Sequence, residues 1–233
     1  MFPLHALRKT RSTPYVTYGL ILINVVVFLW EMTLDQRELF QTFTQMALIP
    51  CQVRSNFLSA DTFVNSLTSM FLHGGIVHLL GNMLFLRAFG PAVEDYLGKG
   101  RFLIFYLVAG FMAGFAHTIF NGSCIPTIGA SGAIAGVMGG FLLLYPGVKI
   151  RNVAFFLRIP VGTVNVQAFY MLLYFFVVDL FNGILSLSAA SAETSGVAFW
   201  AHVGGFTVGL MMAFISMLFR PAPEVDPIGH LDF

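Results

Sequence analysis

At 233 residues, 57% hydrophobic and 10% charged, with a mean hydropathy of +0.81, the chain is too apolar for a soluble globular domain. It reads as an integral membrane protein. A formal net charge of +1 excludes a large basic surface for nucleic acid, so the few charges matter by where they fall along the chain.

The N-terminus carries Arg8, Lys9 and Arg11, and an apolar run follows from Tyr15 to Trp30. That run is longer than a signal-peptide core of about 7–15 residues, and no small-x-small cleavage site follows it, so it reads as a retained first span. Apolar stretches of about 20 residues, enough to cross a hydrocarbon core about 30 Å thick, recur near residues 15–32, 75–93, 102–120, 130–146, 168–187 and 198–219. One long connection, residues 33–74, mixes polar residues with "FQTFTQMALIP" and is expected to lie on the membrane surface. The predicted architecture is an all-α membrane protein with six transmembrane helices and a large membrane-associated first loop. Residues 1–14 form a cytoplasmic N-terminal tail, 15–220 the helical domain and 221–233 a cytoplasmic C-terminal tail. With tails this short, no appended soluble domain is expected.

Lysine and arginine set the orientation. The N-terminal tail, the second connection (Lys99, Arg101), the fourth (Lys149, Arg151, Arg158) and the C-terminal end (Arg220) are basic. They alternate with connections that hold only Arg37 and Arg54, or no basic residue at all, which predicts both termini in the cytoplasm. The segment before Ser131 and the loop around Glu193 then face the opposite side.

The fourth span is short. From Ser131 to Tyr145 a helix rises only about 22 Å, so its start is expected below the membrane surface, reached by the irregular "PTIGA". Irregular backbone at that depth is tolerated where protein encloses it or where it lines a wet cavity. Polar residues gather in the same half. His78 and Asn82, four apart, share one helix face, and His202 stands near the outer end of the sixth span. Gly129, Gly132 and Gly136 on one span and Ala201, Gly205 and Gly209 on the other allow close helix approach, so Ser131 and His202 could meet. Each feature also has a plainer use: a membrane serine commonly bonds its own preceding carbonyl, and glycine spacing commonly serves packing alone. Two cysteines, Cys51 and Cys124, cannot make a disulfide scaffold and are read as unpaired, a single bridge being the alternative. No cluster of His, Cys and carboxylates has ligand spacing, so neither a metal nor an organic cofactor is expected.

"FLHGGIVHLLGNM" (Phe71 to Met83), "GPAVEDYLGKGRF" (Gly90 to Phe102), "GASG" (Gly129 to Gly132) and "AHVGGFTVG" (Ala201 to Gly209) occur in this order across the predicted spans. Together they resemble the rhomboid family of intramembrane serine proteases, over the chain from about Tyr15 to Arg220. The resemblance implies a six-helix rhomboid-like bundle in a bacterial or archaeal plasma membrane, with transmembrane proteins as substrates. It implies Ser131 as nucleophile, His202 as general base, and His78, Asn82 and the Ser131 backbone N–H as oxyanion donors. Gly129, Gly132 and Gly205 would support the site. The chemistry agrees: a serine hydroxyl needs a neighbouring base to attack a carbonyl, and donors aimed at the developing oxyanion lower the barrier.

No carboxylate completes a triad in these motifs. Asp179 on the fifth span is the one rival orienter, with a gate or structural hydrogen bond as the preferred role for it. Glu94 is read as a structural contact to the loop or to Arg101, and His73 and His117 as structural. The chain departs from common family patterns in reading Val64-Asn65 where many members have Trp-Arg. It also has Ala135 where some members pack a tyrosine under the histidine; Phe169 or Tyr170 is the expected substitute. The fifth span and the loop from Ser188 to Val197 are expected to be a moving gate and cap. A catalytically inactive relative that binds membrane proteins would lack Ser131 or His202, and both are present. A transporter with broken helices would need two related halves, and no repeat is evident.

Overall fold

The computed structural model describes residues 2–156, 159–187 and 197–221. The expected cap at residues 188–197 lies outside the described residues except for Val197, as do Arg158, Glu193 and the C-terminal tail beyond Pro221. In chain order the elements are β1 (Phe2–Ala6), α1 (Tyr15–Glu31), α2 (Gln36–Met46), α3 (Pro50–Ser55), α4 (Ala60–Thr68), α5 (Ile76–Leu97), α6 (Lys99–Phe120), α7 (Ser131–Leu144), β2 (Lys149–Phe156), β3 (Ile159–Gln167), α8 (Ala168–Leu185) and α9 (Phe199–Phe219). By length and composition α5, α6, α8 and α9 can cross a membrane, while α1 and α7 are apolar but shorter.

The short helix α7 is the axis of the molecule. It is apolar on every side, and its residues from Gly132 through Phe141 are all buried, as expected of a helix surrounded by others. Glycine and alanine let its neighbours approach to backbone contact. A methyl group on Gly205 of α9 would overlap the Gly132 carbonyl, and one on Gly132 would lie 2.6 Å from the Ala113 Cβ of α6. Toward the other end of α7 the packing turns aromatic: Phe89, Phe102, Phe105, Phe141 and Tyr145 are buried. Phe89 meets Phe141 edge-on, with ring centroids 5.1 Å apart. Small residues near Ser131 and large ones at the far end give the bundle a close-packed top and a filled base.

Between α1 and α5, the helices α2, α3 and α4 occupy much of the long connection. Asp35 and Glu38 form a reciprocal cap at the start of α2, Glu38 N–H donating to the Asp35 carboxylate and Asp35 N–H to that of Glu38. Where a Trp-Arg pair is absent, aromatic pairs attach this connection to α6. Phe63 stacks on Phe111 at 5.5 Å, and Phe57 meets Phe115 at 5.1 Å. Arg54 donates to the Thr118 and Ile119 carbonyls at the end of α6, where helix carbonyls lack partners.

The all-α expectation is corrected by an antiparallel sheet in the order β1-β2-β3. Residues 149–167 follow α7 and are rich in Val, Ile and Phe, and they form a hairpin. The expected N-terminal tail supplies the third strand, pairing Phe2 with Val153 and Ala6 with Ile150. A hydropathy reading built on spans passes over strands of five to nine residues. The sheet lies at the C-terminal end of α7, away from Ser131.

Two acidic residues near the end of α5 secure the same region. The Glu94 carboxylate, 1% exposed, accepts from the backbone N–H groups of Val16 and Thr17 and from the Thr17 hydroxyl. It therefore caps the first turn of α1, where free N–H groups and the helix dipole favour negative charge; the role is structural, as read from the sequence, but the partner is α1 rather than the loop or Arg101. Asp95 accepts from Arg11 N–H, Ser12 N–H and the Ser12 hydroxyl, and pairs with Arg8 at 3.5 Å.

Candidate active site

Ser131 is the first residue of α7, and Ala130 at the cap position offers no side-chain acceptor to the helix N–H groups. Those N–H groups and the positive end of the helix dipole therefore surround the serine. Gly129 reaches this point with φ +119, a conformation that side chains rarely adopt. A methyl there would also lie 2.8 Å from His78 Nε2 and 3.6 Å from Asn82 Nδ2. The two residues read as oxyanion donors thus stand over the glycine that precedes Ser131 by two positions.

His202 lies in the first turn of α9, brought to α7 by the Gly132–Gly205 contact. Its Nε2 is 2.9 Å from Ser131 Oγ, and its Nδ1 is 3.2 Å from Asp179 Oδ2 of α8. Phe169 and Tyr170, the expected substitutes beneath the histidine, are exposed, pack on each other and sit at the opposite end of α8, about 15 Å of helix rise from Asp179.

His73, read as structural, touches the site. Its Nδ1 lies 3.2 Å from the Phe71 carbonyl, which can only accept, so in the neutral ring Nδ1 carries the hydrogen and Nε2 accepts. The group facing Nε2 at 3.0 Å is Asn82 Nδ2, which donates one N–H there and keeps its second for another acceptor. His73 is held in turn by Glu31, the buried last residue of α1, whose carboxylate accepts the His73 backbone N–H at 3.1 and 3.3 Å. Among the described residues the His117 side chain bonds only Asn121, one helical turn away.

The cysteines expected to be unpaired form a disulfide, Cys51–Cys124. Packing of α3 on α6 brings their Cα atoms to 5.1 Å, a separation that sequence spacing does not reveal. Beside it Cys51 N–H donates to the Ser123 carbonyl, and Leu48 and Thr127 exchange backbone hydrogen bonds. Gly129 N–H donates to the Ser69 carbonyl at 2.8 Å. The chain that delivers Ser131 is thus fastened at three places to the connection between α1 and α5. Between them lies a cavity of about 30 Å³ bordered by Ser66, Ser69, Thr127 and Ser131, room for about two waters.

Residues 60–219 match the Rhomboid domain, and the chain belongs to this family of integral membrane proteins. It is 38% identical over 212 residues to Rhomboid protease GluP of Bacillus subtilis (strain 168), covering 88% of this chain and 37% of that one. It is 34% identical over 155 residues to RHOMBOID-like protein 4 of Arabidopsis thaliana, covering 66% of this chain and 34% of that one. With Rhomboid protease GlpG of Serratia proteamaculans (strain 568) it shares 29% identity over 206 residues, 88% of this chain and 64% of the relative. The chain thus spans about a third of the length of the first two.

Proposed function

We propose that the protein is an intramembrane serine endopeptidase that cleaves transmembrane helices of membrane proteins near their outer ends. In this reading α1, α5, α6, α7, α8 and α9 are six spans, both termini are cytoplasmic, and α2–α4 lie at the outer surface. The observation that carries it is the 2.9 Å approach of His202 Nε2 to Ser131 Oγ, made by residues of two helices held together by glycine.

The Ser131 hydroxyl donates its proton to His202 Nε2 as Oγ attacks the scissile carbonyl carbon. Charge develops on the carbonyl oxygen, and the Ser131 N–H, His78 and the free Asn82 N–H are its donors, a set in which each member is worth about 3–4 kcal/mol. His202 then gives its proton to the departing amine and leaves an acyl-serine. A water from the cavity beside Ser66 and Ser69, deprotonated by His202, hydrolyses it and regenerates the hydroxyl. A substrate helix hides its carbonyls in its own hydrogen bonds, so segments loosened by glycine or proline are preferred. Small side chains at the cut suit a site walled by Gly129, Gly132 and Ala201.

Purified protein in detergent, given a transmembrane reporter, tests the reading. Wild type is expected to cleave it and to take a fluorophosphonate label at Ser131, and Ser131→Ala and His202→Ala to lose at least about a hundredfold in kcat/KM. Full cleavage by either variant would remove the dyad. A folded wild type that neither cleaves nor labels would favour the binding role instead.

A further inference from the structure

An arginine on a membrane-crossing helix is costly unless its head reaches water, headgroups or a partner. α5 carries one, Arg87, exposed on its surface nine residues past His78, about 13 Å of helix rise nearer the sheet end. No described carboxylate pairs with it: the ion pairs among the described residues are Arg8–Asp95 and His202–Asp179. β1 packs on α5 and places His5 where the charge of Arg87 acts on it. Across the sheet His5 is paired with Arg151 of β2. The Arg151 Nε is closed off from solvent and bonds no described residue, although a buried N–H ordinarily has an acceptor.

Three segments far apart in sequence thus bring two guanidinium groups and an imidazole together with no described anion among them. The strain of that grouping is felt at His5, whose pKa is held below the usual imidazole value by burial and by the charges of Arg151 and Arg87. Three residues along the chain, Arg8 does have a carboxylate, Asp95, so the lack of one is particular to this cluster.

Apolar surface lies directly beside it. Arg151, Val153 and Phe155 share one face of β2 by strand alternation, and Phe2 of β1 is paired with Val153. Phe2 and Phe155 meet with ring centroids 5.5 Å apart and stay 47% and 46% exposed. Unpaired arginines next to protruding aromatic rings, against the side of a membrane helix, match a molecule with a phosphate at one end and acyl chains at the other.

We propose that His5, Arg87 and Arg151 bind the phosphate of an anionic phospholipid headgroup, with Phe2 and Phe155 against its acyl chains. The assignment needs only the membrane setting and not the serine-protease reading. Both guanidinium groups donate to phosphate oxygens, a pairing that suits their planar fork, and a rotation of Arg151 gives its Nε–H an acceptor. The bound lipid offsets the repulsion between the cations and ties β1 and β2 to α5 from outside the protein.

The full chain, purified in detergent and stripped of lipid, is titrated with dioleoylphosphatidylglycerol and, separately, with dioleoylphosphatidylcholine, and bound lipid is counted by native mass spectrometry. Wild type is expected to hold one phosphatidylglycerol in preference to phosphatidylcholine. Arg87→Gln with Arg151→Gln weakens phosphatidylglycerol about tenfold or more. The control is Lys9→Gln with Arg101→Gln, which removes two exposed charges from the same end of the bundle and changes the affinity by no more than about twofold. Equal losses in the two double variants would mean general attraction to a basic surface, and would overturn the site. Excess sodium phosphate, which has the charge but no acyl chains, is expected not to displace the lipid. Full displacement would make this a site for free phosphate and overturn the lipid assignment.

If the site variant does not fold, the His5 imidazole in the wild-type chain decides by NMR titration. The groups facing it are Arg151 on β2 and Arg87 on α5. A phosphate among them favours the imidazolium, so phosphatidylglycerol raises the His5 pKa by about half a unit or more relative to phosphatidylcholine. The same value in both lipids ends the proposal.

Discussion

Asn82 shows how one buried side chain is set by another that touches no substrate. Its amide has two N–H groups, and His73 Nε2 takes one of them, so the plane and the direction of the second are fixed by a ring outside the reacting atoms. The Phe71 carbonyl fixes that ring, and Glu31 fixes the backbone that carries it. His73→Ala removes the acceptor and frees the amide to rotate. Because the proposed function places the lost interaction in the transition state, kcat is expected to fall about tenfold with KM little changed, less than the hundredfold or more lost with a whole oxyanion donor. Steady-state kinetics on protein whose thermal midpoint is retained checks this. An unchanged kcat would mean that Asn82 is held elsewhere or does not serve the oxyanion. Ser131, His202, His78 and Asn82 were legible as candidates because each stands in a motif with fixed local spacing. His73 was not, since it meets Asn82 across a turn nine residues away, at no helical repeat. Asp179 could be nominated as an intramembrane carboxylate, but its partner depends on the relative rotation of α8 and α9.

Among the elements, helix positions followed from hydropathy because the bilayer length is a strong constraint, and α1, α7 and α9 begin within a residue of where the sequence places them. α5 ends four residues later than expected, running through Pro91 to Leu97, because Gly98 with φ +80 makes the turn. The sheet and the disulfide were not legible, since both depend on segments far apart in sequence meeting side by side. The disulfide closes a loop of sequence separation 73 and joins α3 to the segment that delivers Ser131. Chain-entropy arguments give such a loop up to about 4 kcal/mol, and a denatured state that keeps its helices in lipid or detergent retains less of that. Cys51→Ser with Cys124→Ser is therefore expected to lower the thermal midpoint by several degrees, about 5 °C. It should also loosen the 127–130 segment, seen as faster amide exchange at Thr127 and Gly129. Equal exchange in the presence and absence of reductant would show that the Leu48–Thr127 pairing and the Ser69 contact hold the segment unaided.

At the scale of the whole molecule, the proposed chemistry and the anchoring occupy opposite ends of the bundle. α7 rises about 21 Å from Ser131 to Leu144 before the chain enters β2, and α5 runs from His78 at one end to Asp95 at the other. The far end is tied by β1 pairing with β2, by Asp95 binding residues 8–12 and by Glu94 capping α1. Ile150 of β2, fully buried, belongs to the same apolar cluster as Phe141, Tyr145 and Met171. The sheet is thus continuous with the base of the bundle, although its outer strand β3 is exposed along most of its length. Removing residues 2–6 would open one edge of β2 and uncover part of that cluster while leaving the Arg11, Ser12 and Glu94 contacts intact. The expected result is a lower thermal midpoint with an unchanged rate of fluorophosphonate labelling at Ser131, measured well below that midpoint. The two readouts separate because the glycine contact nearest the Ser131–His202 pair, Gly132 with Gly205, lies at the end of α7 away from the sheet. A labelling rate that fell in step with the midpoint would mean that strain at the base reaches the nucleophile through α7, and that the bundle behaves as one rigid body rather than as a catalytic top on a stabilising base.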